Sequence, residues 1–230
     1  MKAYERLLNY VKILTPSNEN SQTVPSSDCQ FNLARILEKE MNKLGLTDVY
    51  LDDKCYLYGK LPATKGYENC PAIGFIAHMD TVSDFCDHSI HPILTKNYNG
   101  EALPLGDSGL VLDPKVFPHL SSLKGRTLIT SDGTTILGAD DKAGIAEILT
   151  MVERLISKEI PHGPISIAFT QMKKSEVVPS ISISSGLMLI LLILWMAIPR
   201  VRSSLKILMP VKLSLKSLVL MYILVLQRIR

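Results

Sequence analysis

The stretch AIGFIAHMDT, residues 72–81, decides the fold. Its apolar part is nearly continuous, which is typical of a strand buried on both faces of a mixed or parallel sheet. His78 and Asp80 follow at the carboxyl end of this strand, where open α/β sheets keep their ligands. Because side chains alternate along a strand, His78 and Asp80 share a face. The pair suits metal binding. Taken alone, however, it is better explained by a hydrogen-bonded histidine with Asp80 capping a turn.

A second polar stretch, DGTTILGADDKAGIAE, occupies residues 132–147. It begins with a turn, continues with the apolar residues Ile-Leu-Gly-Ala, and ends in a helix. Two adjacent acids, Asp140 and Asp141, open that helix. The macrodipole and the unpaired N–H groups at a helix start favour anions there, so a simple acidic cap is one interpretation. A carboxylate that follows an apolar run also needs a partner, and a hard cation supplies one.

The surrounding pattern predicts an α/β domain with a mixed sheet flanked by helices. Amphipathic helices are indicated over residues 2–14 and from residue 28 to Gly45, and a third over residues 142–158. Strands are indicated at 48–59, 72–78, 127–131 and 164–170, whereas residues 84–126 read as loop with one hairpin. The order strand, helix, strand along 127–170 favours the α/β class.

Charge divides the chain into two parts. Residues 171–230 hold nine Lys/Arg and one acid, a net +8, while residues 1–170 hold sixteen Lys/Arg and twenty-one Asp/Glu, a net −5. The longest apolar run of the basic part, residues 187–198, is shorter than the roughly 20 residues that span a membrane. We therefore expect neither a membrane nor a nucleic-acid partner.

The amino-terminal sequence and the cysteines indicate in which cellular compartment the protein is found. The first residues, MKAYERLLNYVKIL, lack the apolar stretch and cleavage site of a signal peptide. The four cysteines are scattered without metal-ligand spacing, which favours reduced thiols. The prediction is a cytoplasmic protein.

Together, HMDT at 78–81 and DGTTILGADDKAGIAE at 132–147 resemble the M20 family of metallopeptidases, and within it the aminopeptidases that act on tripeptides. The resemblance implies two zinc ions as cofactor. It implies that His78 binds one zinc, that Asp140 bridges both, and that Asp80 is the catalytic-site residue that orients His78. Asp141 and Lys142 match the family pattern without an assigned role. Thr81 and the turn at 132–135 shape the site or serve the structure only, and substrate-binding residues stay unknown.

The resemblance stops near residue 170. There the family pattern continues Pro-Asp-Glu-Glu-Ile-Gly, in which the first Glu is the general base and the second binds zinc. This chain instead has Gln171 and Met172, then Lys173 and Lys174. Lysine cannot fill either role, because an ammonium is repelled by zinc and cannot accept a proton. We predict part of a catalytic domain over 1–170 and an out-of-frame tail without a native fold over 171–230.

The genetic code supports the frame interpretation. Read one nucleotide upstream, the overlap of Met172 and Lys173 must encode glutamate, and Trp195–Met196 must encode aspartate. Met196–Ala197 is likewise forced to glycine, and the overlap at 209–210 to alanine. With permitted codons at the other overlaps, Asp-Glu-Glu-Ile-Gly spans 172–176, as in the family. A single-nucleotide deletion near codons 170–171 accounts for this.

The expected function is therefore two-zinc hydrolysis of the N-terminal peptide bond of tripeptides, with this chain an inactive, truncated form whose zinc site is incomplete. The family's lid and dimerisation domain is expected to be missing, so a homodimer is expected only of the intact form. Two alternatives stay open. One is another M20-family exopeptidase or deacylase, and the other is a non-enzymatic, membrane-associated remnant that uses the basic tail.

Overall fold

The structure, a computed structural model, describes residues 1–171 and the backbone of residues 190–193. Three α-helices lie in the described part, α1 (Ala3–Tyr10), α2 (Gln30–Lys43) and α3 (Ala139–Ser157), with a 3₁₀ helix at Pro118–Leu123. The described strands are β1 (Thr47–Leu51), β2 (Leu57–Leu61), β3 (Ile73–His78), β4 (Ile93–Thr95), β5 (Leu103–Pro104), β6 (Val111–Leu112), β7 (Leu128–Thr130), β8 (Ile165–Thr170) and β9 (Ile190–Ile193).

A mixed five-stranded sheet has the order β1–β2–β8–β3–β9. The β1–β2 and β2–β8 pairs are antiparallel, whereas β3 pairs in parallel with both β8 and β9. Two small two-stranded sheets, β4–β7 and β5–β6, lie in the segment between β3 and α3. Strand β8 is central because it separates the β1–β2 hairpin from β3. The predicted mixed α/β class is confirmed.

One hydrophobic core joins the helices to the sheet. Side chains from α2, from α3 and from the central strands belong to it, among them Leu37, Met41, Phe169, Ile145 and Leu149, which are fully buried. Helix α3 packs against α1 and β3, and α2 packs against β1 and β2. The predicted amphipathic spacing is thus realised as buried helix faces.

Two predicted elements differ from the structure. Helix α1 ends at Tyr10 rather than running to residue 14, because residues 13–17 use their backbone to bond other segments and a proline disfavours helix in the residue before it. The predicted strand 48–59 is two strands joined by a turn. The turn forms because the Asp52 carboxylate accepts hydrogen bonds from the backbone N–H groups of Lys54 and Tyr56, at 3.0 and 2.8 Å.

The predicted tail falls almost wholly outside the described residues. Its described parts are Gln171, which is buried, and the backbone of β9, which lies beside β3. The described residues, 1–171 and 190–193, belong to one compact unit. The domain boundary at residue 170 therefore stays a prediction.

Candidate metal centre

His78 is the last residue of β3 and stands at the carboxyl edge of the sheet. The parallel register pairs it with Thr170, the last residue of β8, and the next N–H, that of Met79, donates to the Thr170 carbonyl at 2.7 Å. Only 15% of the His78 side chain is exposed. The two parallel strands thus end together, and the chain that follows β8 leaves the sheet beside His78.

Carboxylates lie at both ring nitrogens of His78. Nδ1 is 3.1 Å from the Asp80 carboxylate Oδ1 and 3.1 Å from the Asp80 carbonyl oxygen, while Nε2 is 3.2 Å from Asp140 Oδ1. Burial lowers the pKa of His78, but the hydrogen bond and charge of Asp80 and the charges of Asp141 and Asp140 outweigh it, so the pKa is raised overall. The imidazole therefore links the β3 edge to the start of α3.

Asp140 and Asp141 occupy an irregular first turn of α3. Both have non-helical backbone angles, and Gly138 before them is left-handed, with φ of +67°. This geometry carries the Asp140 carboxylate out to an exposed position, at 67% exposure, while still facing His78. An ideal helix start would not aim the two acids this way, and left-handed backbone at residue 138 favours glycine.

Asp141 differs from its neighbour in being largely buried. Burial raises the pKa of its carboxyl to about 6, opposed by the charge of His78. Its carboxylate folds back over Gly144, and a Cβ at residue 144 would collide with Asp141 Oδ1. The glycine of the DDKAG sequence is thus required by the packing of the second acid.

Lys142 is fully buried, within range of the charge of Asp80. Its Nζ donates a hydrogen bond of 2.6 Å to the carbonyl of Ile13, and burial lowers the pKa of its ammonium to about 8. The lysine therefore fastens the start of α3 to the segment that follows α1.

Residues 13–17, which we call the strap, run alongside residues 79–81. The Ser17 N–H donates to the Thr81 carbonyl at 2.9 Å, and the Thr81 N–H donates to the Thr15 carbonyl at 3.0 Å. The Thr15 hydroxyl donates to the carbonyl of Met79 at 2.7 Å, and the Ser17 hydroxyl donates to Asp80 Oδ2 at 2.6 Å. Sequence reasoning missed Ser17, since no local pattern in a single sequence links a loop serine to a residue sixty-three positions further on.

The turn at 132–135 is held mainly by its own atoms. Asp132 Oδ1 accepts from the backbone N–H and the hydroxyl of Thr134, at 2.9 and 2.6 Å. Thr134 Oγ1 in turn lies 3.2 Å from Nε2 of His88. Thr81, the other residue expected to shape the site, is buried beside Gly138 and joined to the strap. These contacts describe a structural role for the turn and a supporting one for Thr81.

The residues present fit a metal in kind but not in number. An imidazole nitrogen and a carboxylate oxygen face each other, and both are donors that zinc accepts. A zinc site needs three protein ligands when it is catalytic and four when it is structural. Among residues 1–171, no group of three His, Cys, Asp or Glu side chains is arranged to hold a metal ion. His78 and Asp140 thus provide two suitable donor groups, which is fewer than such a site needs.

The fold and this edge cluster define an α/β domain with a histidine and carboxylates at the carboxyl edge of its sheet. No family model matches the chain. Peptidase T of an Exiguobacterium strain is 52% identical over 171 residues, covering 74% of this chain and 41% of that protein. Peptidase T of Aliivibrio fischeri is 51% identical over 167 residues, covering 72% and 41%. Over these residues the chain is a homologue of peptidase T, and it spans about two fifths of the length of these relatives.

Solved structures give a weaker likeness. The aminopeptidase PepT of Bacillus cereus superposes with a TM-score of 0.49 at 27% identity, covering 73% of this chain and 35% of that one. A tripeptidase of Staphylococcus aureus gives 0.48 at 26% identity, over 73% and 35%. The assignment to peptidase T rests on the sequence relatives.

Proposed function

We propose that residues 1–170 carry part of a zinc aminopeptidase that removes N-terminal residues from tripeptides, and that the 230-residue chain does not perform this reaction. The observation that supports the first half is His78 placed between Asp80 and Asp140 at the sheet edge, in a peptidase T homologue. A carboxylate that accepts a hydrogen bond from one ring nitrogen determines which nitrogen stays free to bind a metal.

In the proposed site, His78 Nε2 and the Asp140 carboxylate hold zinc, and Asp80 holds the imidazole in place through Nδ1. Bound zinc lowers the pKa of water and polarises a peptide carbonyl. The exposed Asp140 carboxylate is accessible to ions and substrate from solvent, whereas the buried Asp80 is suited to a supporting role. The cluster carries three carboxylates near one imidazole, a surplus of negative charge that favours a cation.

The second half of the proposal follows from where β8 ends. Thr170 is paired with His78, so the residues that follow begin beside the site. A general base and a further ligand would enter there, but the sequence supplies Gln171 and Met172 and then two lysines. A lysine in place of a zinc ligand or a general base opposes metal binding and takes no proton from water. We therefore expect weak zinc binding and no peptide cleavage.

We further propose that a single-nucleotide deletion near codons 170–171 produced residues 171–230, and that the restored frame encodes the rest of a cytoplasmic peptidase. The four forced codon overlaps in that segment support this. All four cysteines are free in the structure. Among residues 1–171, no helix has the length and apolar character needed to cross a bilayer.

The test compares three genes. The first encodes the 230-residue chain, the second has one base restored near codon 170, and the third adds His78→Ala to the restored gene. Zinc-dependent release of the N-terminal residue from tripeptides is expected from the second alone. Cleavage by the first, abolished by chelation, would refute the inactive half of the proposal. An early stop in the restored frame, or full activity of the third protein, would refute the remainder.

A further inference from the structure

We propose that Ser17 is a positioning residue of the candidate metal centre, which fixes the Asp80 carboxylate so that His78 presents Nε2 toward Asp140. The inference rests on the proposed function of His78 and Asp140 as metal ligands. It adds to that site a residue from a different segment of the chain, the strap at 13–17.

The first step concerns the two oxygens of Asp80. Oδ1 lies 3.1 Å from His78 Nδ1, and Oδ2 accepts the hydroxyl of Ser17 at 2.6 Å. Only 6% of Asp80 is exposed, so solvent cannot replace the serine easily. The terminal torsion of an aspartate is broad and roughly two-fold, and a short bond to one oxygen selects its orientation. Ser17 thereby fixes the plane of the carboxylate that faces the imidazole.

The second step concerns how firmly Ser17 is held. Its own N–H donates to the Thr81 carbonyl, and the Thr81 N–H donates to the Thr15 carbonyl, so two backbone bonds tie the strap to the residue after Asp80. The Thr15 hydroxyl adds a bond to the Met79 carbonyl. The serine hydroxyl is therefore delivered to Asp80 by a rigid backbone, as a side chain that orients a metal ligand requires.

The third step connects the strap to the other ligand. Lys142 follows Asp140 by two residues and is bonded through Nζ to the Ile13 carbonyl at the start of the strap. One end of the strap thus contacts the element that carries Asp140, and the other end holds Asp80. The strap sets the two halves of the site relative to each other, and Ser17 is its only side chain bonded to a site carboxylate among the described contacts of residues 13–17.

A serine that merely closed a loop would give a different result from a positioning residue. Loss of a loop contact lowers stability alone. Loss of a positioning contact lets the Asp80 carboxylate turn away from His78 Nδ1 and weakens metal binding, while the fold persists. Thr in place of Ser keeps the hydroxyl and restores both properties if the hydroxyl is what matters.

The experiment uses the full 230-residue chain, stripped of metal, with Zn²⁺ alone as probe. Zinc affinity is measured by competition with a chelating dye for the parent, Ser17→Ala, Ser17→Thr and His78→Ala. The matched control is Ser21→Ala, in the same loop, where the hydroxyl contacts only Thr23 among the described bonds. We expect Ser17→Ala to lose about tenfold in affinity, with Ser17→Thr and Ser21→Ala close to the parent.

Nitrogen-15 spectra of the His78 ring provide the second readout. At alkaline pH the parent and Ser17→Thr are expected to show a protonated Nδ1 and a bare Nε2, and Ser17→Ala a shifted Nδ1 resonance, because only the Asp80 carbonyl then holds that proton. A parent with its proton on Nε2 would overturn the inference even if Ser17→Ala did not fold. Parental affinity and a parental spectrum in folded Ser17→Ala would overturn it too. His78→Ala with undiminished zinc affinity would instead overturn the proposed function.

Discussion

Two clusters of charged side chains in this protein are built on opposite principles. In the first, which we call the helix cluster, Arg6 of α1 is 2% exposed and bonds Glu40 of α2 at 2.7 Å and Glu153 of α3 at 3.0 Å. In the second, at the sheet edge, three aspartates surround His78. The helix cluster joins one cation on α1 to one anion on α2 and one on α3. The edge cluster gathers like charges, which costs stability and favours a bound cation.

The helix cluster also satisfies its remaining donors and acceptors. Arg6 Nη1 donates to the Thr150 hydroxyl at 2.9 Å, and the Tyr10 hydroxyl donates to Glu40 Oε2 at 2.5 Å. Burial, followed by the bond to Glu40, raises the pKa of Tyr10, so the hydroxyl keeps its proton at any ordinary pH. Such a network serves the packing of the helices, because breaking it leaves charges without partners.

The largest expected effect comes from removing the cation of the helix cluster. Arg6→Met keeps an unbranched apolar side chain but leaves Glu40 and Glu153 without their shared partner. We expect the free energy of unfolding to fall by about 3 kcal/mol, the low end for breaking a buried pair because both glutamates are partly exposed. Urea denaturation measures it, with exposed Lys39→Met on α2 as control. Equal losses in the two variants would remove the contrast between the clusters.

The opposite result is expected at the sheet edge. Asp140→Asn reduces the like charge near Asp141 and His78, so the metal-free chain should lose no more than about 0.5 kcal/mol. Its zinc affinity should nevertheless fall by about tenfold or more, since a ligand matters at least as much as its supporting residues. Denaturation and dye competition on the same preparation measure both. A large loss of stability would place Asp140 with the structural charges instead.

A smaller effect tests the backbone that aims Asp140. Gly138→Ala places a Cβ at φ of +67° and 3.1 Å from Thr81 Cγ2, and should cost about 1–2 kcal/mol. Gly45→Ala is the matched control, because φ there is +84° with no atom near the new Cβ. Only Gly138→Ala is expected to weaken zinc binding as well. Equal zinc affinity in both variants would show that the left-handed backbone at Gly138 does not position Asp140 for zinc binding.

The smallest effect is the pH dependence of the helix cluster. The bond from the terminal amine of Met1 is the largest cause that lowers the pKa of Glu153 below its usual 4.5; burial opposes it, and the bond from Arg6 lowers the pKa further. A depressed carboxyl pKa stabilises the fold above 4.5, and this contribution is lost as pH falls through the folded value. Glu153→Gln should therefore flatten the acid side of the stability profile. Denaturation midpoints measured across that range will be unchanged if the pairing contributes nothing.

Sequence reasoning succeeded where one physical signal dominated. The apolar run of β3, the apolar run of β8 and the amphipathic spacing of α2 each predicted the element that formed. The juxtaposition of His78 with Asp80 followed from strand alternation. Its approach to Asp140 came from family resemblance, because nothing in the spacing of two motifs sixty-two residues apart fixes a distance.

The features that sequence did not predict depend on tertiary contacts. Helix α1 stops early because the strap bonds to residues 79–81, and no local propensity records that competition. The sequence assigned no role to Lys142, which is fully buried and bonded to the carbonyl of Ile13. Ser17 likewise gains its role only when two distant segments meet.

The central position of β8 has a consequence for the order in which the protein is made. The hairpin β1–β2 and strand β3 leave the ribosome about a hundred residues before β8, yet they join one sheet only when β8 enters between them. Assembly of the sheet must wait for this late, long-range pairing, which is slow by nature. Residue 170 completes that strand. A reading frame shifted at the next codon would leave β8, the last strand that joins the sheet, intact. It would replace the residues directly after β8, where the family pattern has its general base and a further zinc ligand.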